Sequence, residues 1–150
     1  MQDFDEASKS TLRKVFRTRR RLALDAEPTL EDRIRDQARR ELRRRHQQGE
    51  LQQSVGLYWP LPGEVDLTPL RLELVNELGL NTALPVADGQ GGMTYRHWTG
   101  APLTKDSCGI PAPLDQPALG AENLSLLLVP ALSVDRMGIR LGYGGGYYDR

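Results

Sequence analysis

The stretch LSLLLVPAL, residues 124–132, is the most apolar in the chain, and it selects the fold class. Its apolar residues run on without a two-residue alternation, so a strand here needs cover on both faces, as in a parallel sheet. It is the best candidate for a central strand. Two more strands are expected upstream, at VGLYWPL (55–61) and at Thr82–Ala87, and a further one at MTYRHW (93–98) after the glycine turn ADGQGGM. Between the first two, Pro62-Gly63 ends a strand, and Thr68-Pro69 supplies an N-cap and first residue for a helix carrying Leu70, Leu74, Val75 and Leu78. Residues 99–123, rich in Pro and Gly, read as an ordered loop region.

Toward the N-terminus the period changes. A helix is expected from about residue 7 to 24, with Leu12, Val15 and Phe16 on one face. Asp25–Thr29 is a break in which Pro28 opens a second helix. There Leu30, Ile34, Ala38 and Leu42 form a stripe of four-residue spacing, and Gln47–Glu50 closes the segment. Strands alternating with helices make a layered α/β domain, with a sheet flanked by helices. Such sheets bind ligands in the loops beyond the carboxyl ends of their strands, and both WPLPGEVD (59–66) and the glycine string near residue 142 follow a predicted strand.

The chain has 150 residues, long enough for one domain with a real core, and its 20 Lys/Arg balance 20 Asp/Glu. The balance hides an asymmetry: residues 1–45 hold fourteen basic and nine acidic residues, whereas 46–150 hold six and eleven. A basic front end could meet nucleic acid, lipid or a small polyanion. The plainer reading pairs the 33–45 arginines with Glu31, Asp32, Asp36 and Glu41 at helical spacing. No apolar run approaches the roughly 18–20 residues of a membrane span, and the polar start MQDFDEASKS is not a secretory signal. Cys108, the single cysteine, permits no internal disulfide. The expected location is cytoplasmic. His46 and His97 lack the spacing of a zinc site, and nothing in the sequence brings Cys108 and His97 together as nucleophile and base.

The segment DRMGIRLGYGGGYYDR (135–150) carries the most chemistry. Gly142, Gly144, Gly145 and Gly146 expose backbone N–H groups that could wrap a phosphate, the more so if a helix starts at Tyr147. Arg140 adds a guanidinium, and Asp149 a hard oxygen donor suited to Mg²⁺. The string is neither a dinucleotide fingerprint, since Tyr147 occupies the third glycine position, nor a Walker A loop, since no Lys-Ser/Thr follows. Spacing alone leaves a structural turn open. It also leaves Lys9 and Arg13 open as helix-surface cations, Glu64 as a turn carboxylate, and Trp59, Tyr147 and Tyr148 as plain packing residues.

The run RLGYGGGYYDR, with the strand LLLVPALSVDRMG before it, resembles the signature of the 5-formyltetrahydrofolate cyclo-ligase family. Three more segments match in order: SKSTLR near the start, YWPLPGEVDLTPL, and LPVADGQGGMTYRHW followed by GIPAP. The resemblance covers residues 7–150. It implies a fold shared with sugar-phosphate isomerases and CoA transferases, and ATP- and Mg²⁺-dependent closure of 5-formyltetrahydrofolate to 5,10-methenyltetrahydrofolate with release of ADP and phosphate.

Carried over by position, the resemblance assigns Lys9, Arg13, Arg140, Gly142, Gly144, Gly145, Gly146, Tyr147 and Tyr148 to ATP. It assigns Glu64, Met93 and Trp98 to the reduced folate, with Trp59 and Tyr147 as walls for its flat ring, and Asp149 to the metal. Where many bacterial members carry Glu after the Gly-Ile-Pro turn, this chain has Ala112. Family members usually continue for some tens of residues past the position of Arg150, with a further strand and a second acidic metal ligand. Residues 1–150 are therefore expected to be a single cyclo-ligase-like domain lacking a C-terminal segment. A monomer with no nucleic-acid or membrane partner is expected. The rival readings are a paralogue acting on another substrate, a nucleic-acid module built on the arginine-rich helix, and a nucleotide-binding regulator without catalysis.

Overall fold

The computed structural model describes residues 6–143 and residue 148. Two long helices lead the chain, α1 (Glu6–Ala26) and α2 (Leu30–Gln47), with the break at residues 27–29 that Pro28 imposes. In α2 the apolar stripe turns inward at Ala38 and at Leu42, which is buried, while Ile34 remains at the surface. The charged face carries the expected ion pairs: Arg35 with Glu31 and Asp32, Arg39 with Asp36, and Arg44 and Arg45 with Glu41. Exposed pairs of this kind contribute little each. Glu73 adds a longer-range tie, since its carboxylate accepts from both Arg39 and Arg43.

Next come β1 (Ser54–Gly56), α3 (Leu70–Asn76), β2 (Asn81–Ala87) and β3 (Met93–His97). The pairs β4 (Thr104–Lys105) with β5 (Pro111–Ala112), and later β8 (Ser133–Val134) with β9 (Arg140–Leu141), form small antiparallel hairpins. Between them lie β6 (Ala118–Leu119) and β7 (Leu124–Leu127). The main sheet runs β6-β3-β2-β1-β7. β1 is parallel to β2 and to β7, β3 is antiparallel to β2, and β6 is antiparallel to β3, so the sheet is mixed. The architecture is α/β with flanking helices. Leu70 and Leu74 of α3, Leu42 of α2, and Val55, Leu57 and Leu84 of the β1–β2 layer form the core. Truncating one such leucine to alanine costs about 2–5 kcal/mol.

Three sequence expectations need correction. LSLLLVPAL does not supply the central strand. Among the described residues β7 lies at a sheet edge, paired with β1 alone, and Leu127 and Val129 are 41% and 36% exposed. The centre is β2, where Thr82, Ala83 and Leu84 are almost fully buried. Thr68 does not cap α3: its hydroxyl donates to Asp66 Oδ1 at 2.6 Å, and the helix begins after Pro69. The 99–123 region is not all loop, because β4, β5 and β6 fall within it.

Two residues in the sheet shape its upper end. Gly56 leaves room for its neighbours: a Cβ there would lie 2.6 Å from Leu127 Cδ2 and 2.9 Å from Tyr95 Cε1. Pro85 ends the β1–β2 ladder. Ala83 O still accepts from Leu57 N at 2.8 Å, but two residues on, proline has no N–H to offer. The next amide on that side, Ala87 N–H, donates instead to Asp106 Oδ2 at 3.0 Å. The sheet therefore opens between β1 and β2 at their carboxyl ends.

Candidate active site

The opening is a cavity of about 250 Å³ at the carboxyl ends of the parallel strands. β1 leads into Trp59, Leu61 and Glu64, β2 contributes Pro85 and Ala87, and the segment after β7 contributes Pro130. Met93 at the start of β3 and Ile110 complete the apolar surface. This is where a layered α/β sheet is expected to bind its ligand.

The turn after β1 presents the carboxyl group. Leu61-Pro62-Gly63-Glu64 is a tight turn in which Gly63 has φ +86° and Glu64 N donates to Leu61 O at 2.9 Å. Tyr58 OH closes the loop by donating to Val65 O at 2.7 Å. Glu64 is only 9% exposed; its Oε1 accepts from Leu61 N at 2.7 Å, and its Oε2 is buried without a hydrogen-bond partner among the described residues. A buried carboxyl oxygen without a well-formed hydrogen bond is costly, and with only the Tyr143 phenol close to the carboxylate it marks a place that a ligand donor would fill.

β9 and the residue after it bring the cationic side. Arg140 lines the cavity, donates from Nη1 to Pro130 O at 2.9 Å, and sits 5.3 Å over the Tyr148 ring. Gly142 is where a side chain would interfere, since a Cβ would lie 3.1 Å from Arg140 Nη1. Arg13 on α1 reaches the same loop, its Nε donating to Gly142 O at 3.1 Å. Tyr143 and Tyr148 also line the cavity. Burial pushes the Tyr148 phenol well above the usual tyrosine range, with the nearby Tyr95 and Glu64 adding to the effect. Burial likewise raises Tyr143, against the pull of a hydrogen bond from Arg20, and the Glu64 carboxylate beside the phenol adds to the rise.

Of the residues singled out by sequence, Trp59, Glu64, Met93, Arg140 and Tyr148 line this one cavity, and Arg13 and Gly142 meet beside it. Lys9 is half-buried one turn before Arg13 and does not line the cavity. Trp98 does not line it either; it packs edge-on against Trp59, ring centroids 6.2 Å apart, and so stands behind the wall. Gly144, Gly145, Gly146, Tyr147 and Asp149, with the helix start expected at Tyr147, lie outside the described residues.

Sequence reasoning missed Arg20, Tyr143, Pro85 and Asp106. Arg20 was accessible to it, because Lys9, Arg13, Arg17 and Arg20 recur at spacings that share one helix face. Cys108 also lines the cavity, a position that nothing in its sequence context signals.

The family model of the 5-formyltetrahydrofolate cyclo-ligase family matches residues 5–150. A 5-formyltetrahydrofolate cyclo-ligase of Mycolicibacterium smegmatis is 36% identical over an alignment of 97 positions that covers 59% of this chain and 47% of that protein. The match thus spans about half the length of that relative. The NMR structure of Aquifex aeolicus 5,10-methenyltetrahydrofolate synthetase superposes with a TM-score of 0.74 at 30% identity, covering 95% of this chain and 70% of that one. A 5,10-methenyltetrahydrofolate synthetase from Mycoplasma pneumoniae shares the fold, with a TM-score of 0.70 at 20% identity over 95% of this chain and 75% of the other. With the family model matching residues 5–150, nearly end to end, the chain belongs to the 5-formyltetrahydrofolate cyclo-ligase family.

Proposed function

We propose that the protein closes 5-formyltetrahydrofolate to 5,10-methenyltetrahydrofolate, using ATP and releasing ADP and phosphate. The observation that carries this reading is the convergence of Glu64, with its unpaired buried oxygen, and Arg140, at the glycine loop, on one cavity walled by Trp59 and Met93. In the proposed reaction the γ-phosphoryl group of ATP activates the formyl oxygen. N10 then attacks the formyl carbon and loses its proton, and the oxygen departs with phosphate. Such chemistry asks the protein for positioning and charge stabilisation more than for a nucleophilic side chain.

The residues present suit that demand. Arg140 brings a fixed guanidinium to the cavity, where it would offset charge on a transferring phosphoryl group. Arg13 holds the loop at Gly142, and Lys9 adds a further cation on the same helix face. Glu64 Oε2 would accept a hydrogen bond from an N–H of the reduced pterin, and Trp59 and Tyr148 would flank the ring. Mg²⁺ would accompany the nucleotide. An Mg²⁺ ion that travels with a nucleotide is held chiefly by phosphate oxygens and one or two carboxylates. Asp149, offered by the resemblance, would be one of these. The basic face of α2 speaks for a small-molecule rather than a nucleic-acid partner, since most of its arginines are paired with carboxylates.

The test is direct. The protein, Mg²⁺, ATP and 5-formyltetrahydrofolate are mixed, and the near-ultraviolet absorbance of the methenyl product is followed, with ATP omitted as control. A folded protein that gives no ATP-dependent rise overturns the reading.

A further inference from the structure

A second cavity, of about 500 Å³, lies between α1 and the turn that carries Glu64. Its walls are Arg17, Arg20 and Arg21 on one side and Leu61, Pro62 and Gly63 on the other. It shares Leu61 and Tyr143 with the main cavity, so the two are neighbours across those side chains. Among the described residues no acidic one lines it. The contrast with α2 is direct: there Arg33, Arg35, Arg39, Arg43, Arg44 and Arg45 each reach a carboxylate. Arg17 and Arg20 instead sit over the neutral Tyr143 ring, each 5.6 Å from its centroid. Among the described residues, positive charge is therefore concentrated at one exit from the candidate active site.

We infer that this arginine face of α1 docks the carboxylates of the substrate's glutamate tail, an inference that rests on the folate reading above. The main cavity, about 250 Å³, is smaller than the roughly 300–1,000 Å³ of sites that enclose a drug-sized ligand. It suits the heterocycle and leaves the p-aminobenzoyl-glutamate portion to run outward. Two neighbouring cavities share lining residues with it among the described residues. The one past Ala87, Met93 and Asp106 carries Arg96 and Lys105 but also Asp88 and Asp106, and Arg96 Nη1 is committed to Leu114 O at 2.7 Å and Gln116 O at 3.0 Å. The other carries, among the described residues, three arginines and no acid. An anionic tail is drawn to the second. Arg13, one turn before Arg17 on α1, meets the loop at Gly142, whereas Arg17 and Arg20 meet it at Tyr143.

The experiment is a tryptophan-fluorescence titration with 5-formyltetrahydrofolate bearing one glutamate, with its γ-linked triglutamate form, and with ATP. The variants are the double R17Q/R21Q and the single Arg21→Glu; Arg20 is left in place because it holds Tyr143. Wild-type protein should bind the triglutamate more tightly than the monoglutamate. Both variants, folded by circular dichroism, should lose roughly three- to tenfold of the triglutamate affinity and most of its advantage, as expected for exposed charge pairs. Their ATP affinity should match wild type. An unchanged triglutamate-to-monoglutamate ratio in both variants overturns the inference, and so does a loss confined to ATP, which would give the face to the nucleotide. Wild-type protein that binds neither folate would overturn the folate reading itself, an outcome separate from the other two.

Discussion

Arg20 Nη1 donates to the Tyr143 hydroxyl at 2.6 Å and so ties the middle of α1 to the wall of the candidate active site, more than a hundred residues away in sequence. The guanidinium also lies against the Glu64 turn, where a Cβ on Gly63 would come within 3.4 Å of Arg20 Nη2. One side chain thus braces both the phenol and the turn that presents the carboxyl. Arg20→Leu should lower kcat/KM for the folate about tenfold, as expected for loss of one hydrogen bond to a charged group. Arg20→Lys should recover part of that loss by keeping the charge without the planar fork. Thermal unfolding should stay near wild type in both. Unaltered kcat/KM in a folded Arg20→Leu protein would remove Arg20 from the site.

Glu64 provides the sharpest separation of roles. Its Oε2 makes no well-formed hydrogen bond among the described residues, although the Tyr143 phenol lies beside the carboxylate, so a ligand N–H has an acceptor to meet there. Glu64→Gln keeps the shape but removes an ionisable acceptor, and it should weaken folate binding or ring closure roughly 10- to 100-fold while ATP binds normally. Separate equilibrium titrations with the two substrates decide the matter. A variant that loses only ATP affinity would show the assignment to be inverted.

Gly142 tests the phosphate side. Its neighbour across the loop is the Arg140 guanidinium, 3.1 Å from where a Cβ would be, and its carbonyl accepts from Arg13. Gly142→Val should push Arg140 out of position and weaken ATP by about tenfold or more, the scale of one charge-assisted contact. Wild-type nucleotide affinity in a folded variant would mean that Arg140 does not hold phosphate.

The fold was legible where period and punctuation agree. Pro28 and Pro62-Gly63 break the chain where the sequence says they do, and both long helices and the β2–β3 hairpin follow from local pattern. LSLLLVPAL misled because an unbroken apolar run reports hydrophobicity and not how many strands lie beside it. Trp59, Glu64, Met93, Arg140 and Tyr148 were recoverable because resemblance ties each to a motif, and the sheet gathers them at one end. Pro85 and Asp106 were not. Their importance lies in where β1 leaves β2 and in which amide is then left over, facts of three-dimensional register that no local window contains.

The last prediction concerns Tyr95, whose hydroxyl is buried without a partner among the described residues while its ring lies over Gly56. Burial pushes the phenol up to about 12, against roughly 10 in an unfolded chain. The folded state therefore keeps this proton when the unfolded state has lost it. Stability from this source is full below pH about 10 and falls as pH rises toward 12. Tyr58, Tyr143 and Tyr148 are shifted in the same direction by burial, so the slopes reinforce one another. An alkaline titration should show most phenolate absorbance appearing late and together with the loss of near-ultraviolet circular dichroism. Tyr95→Phe removes an unsatisfied hydroxyl and keeps the ring, so it should stabilise the protein by about 1 kcal/mol at neutral pH. It should also move the alkaline transition to higher pH. Loss of stability in Tyr95→Phe at neutral pH would show that the hydroxyl has a partner after all. Phenolate appearing at an ordinary midpoint, with the circular dichroism intact, would show that the four rings are reached by solvent in the folded protein.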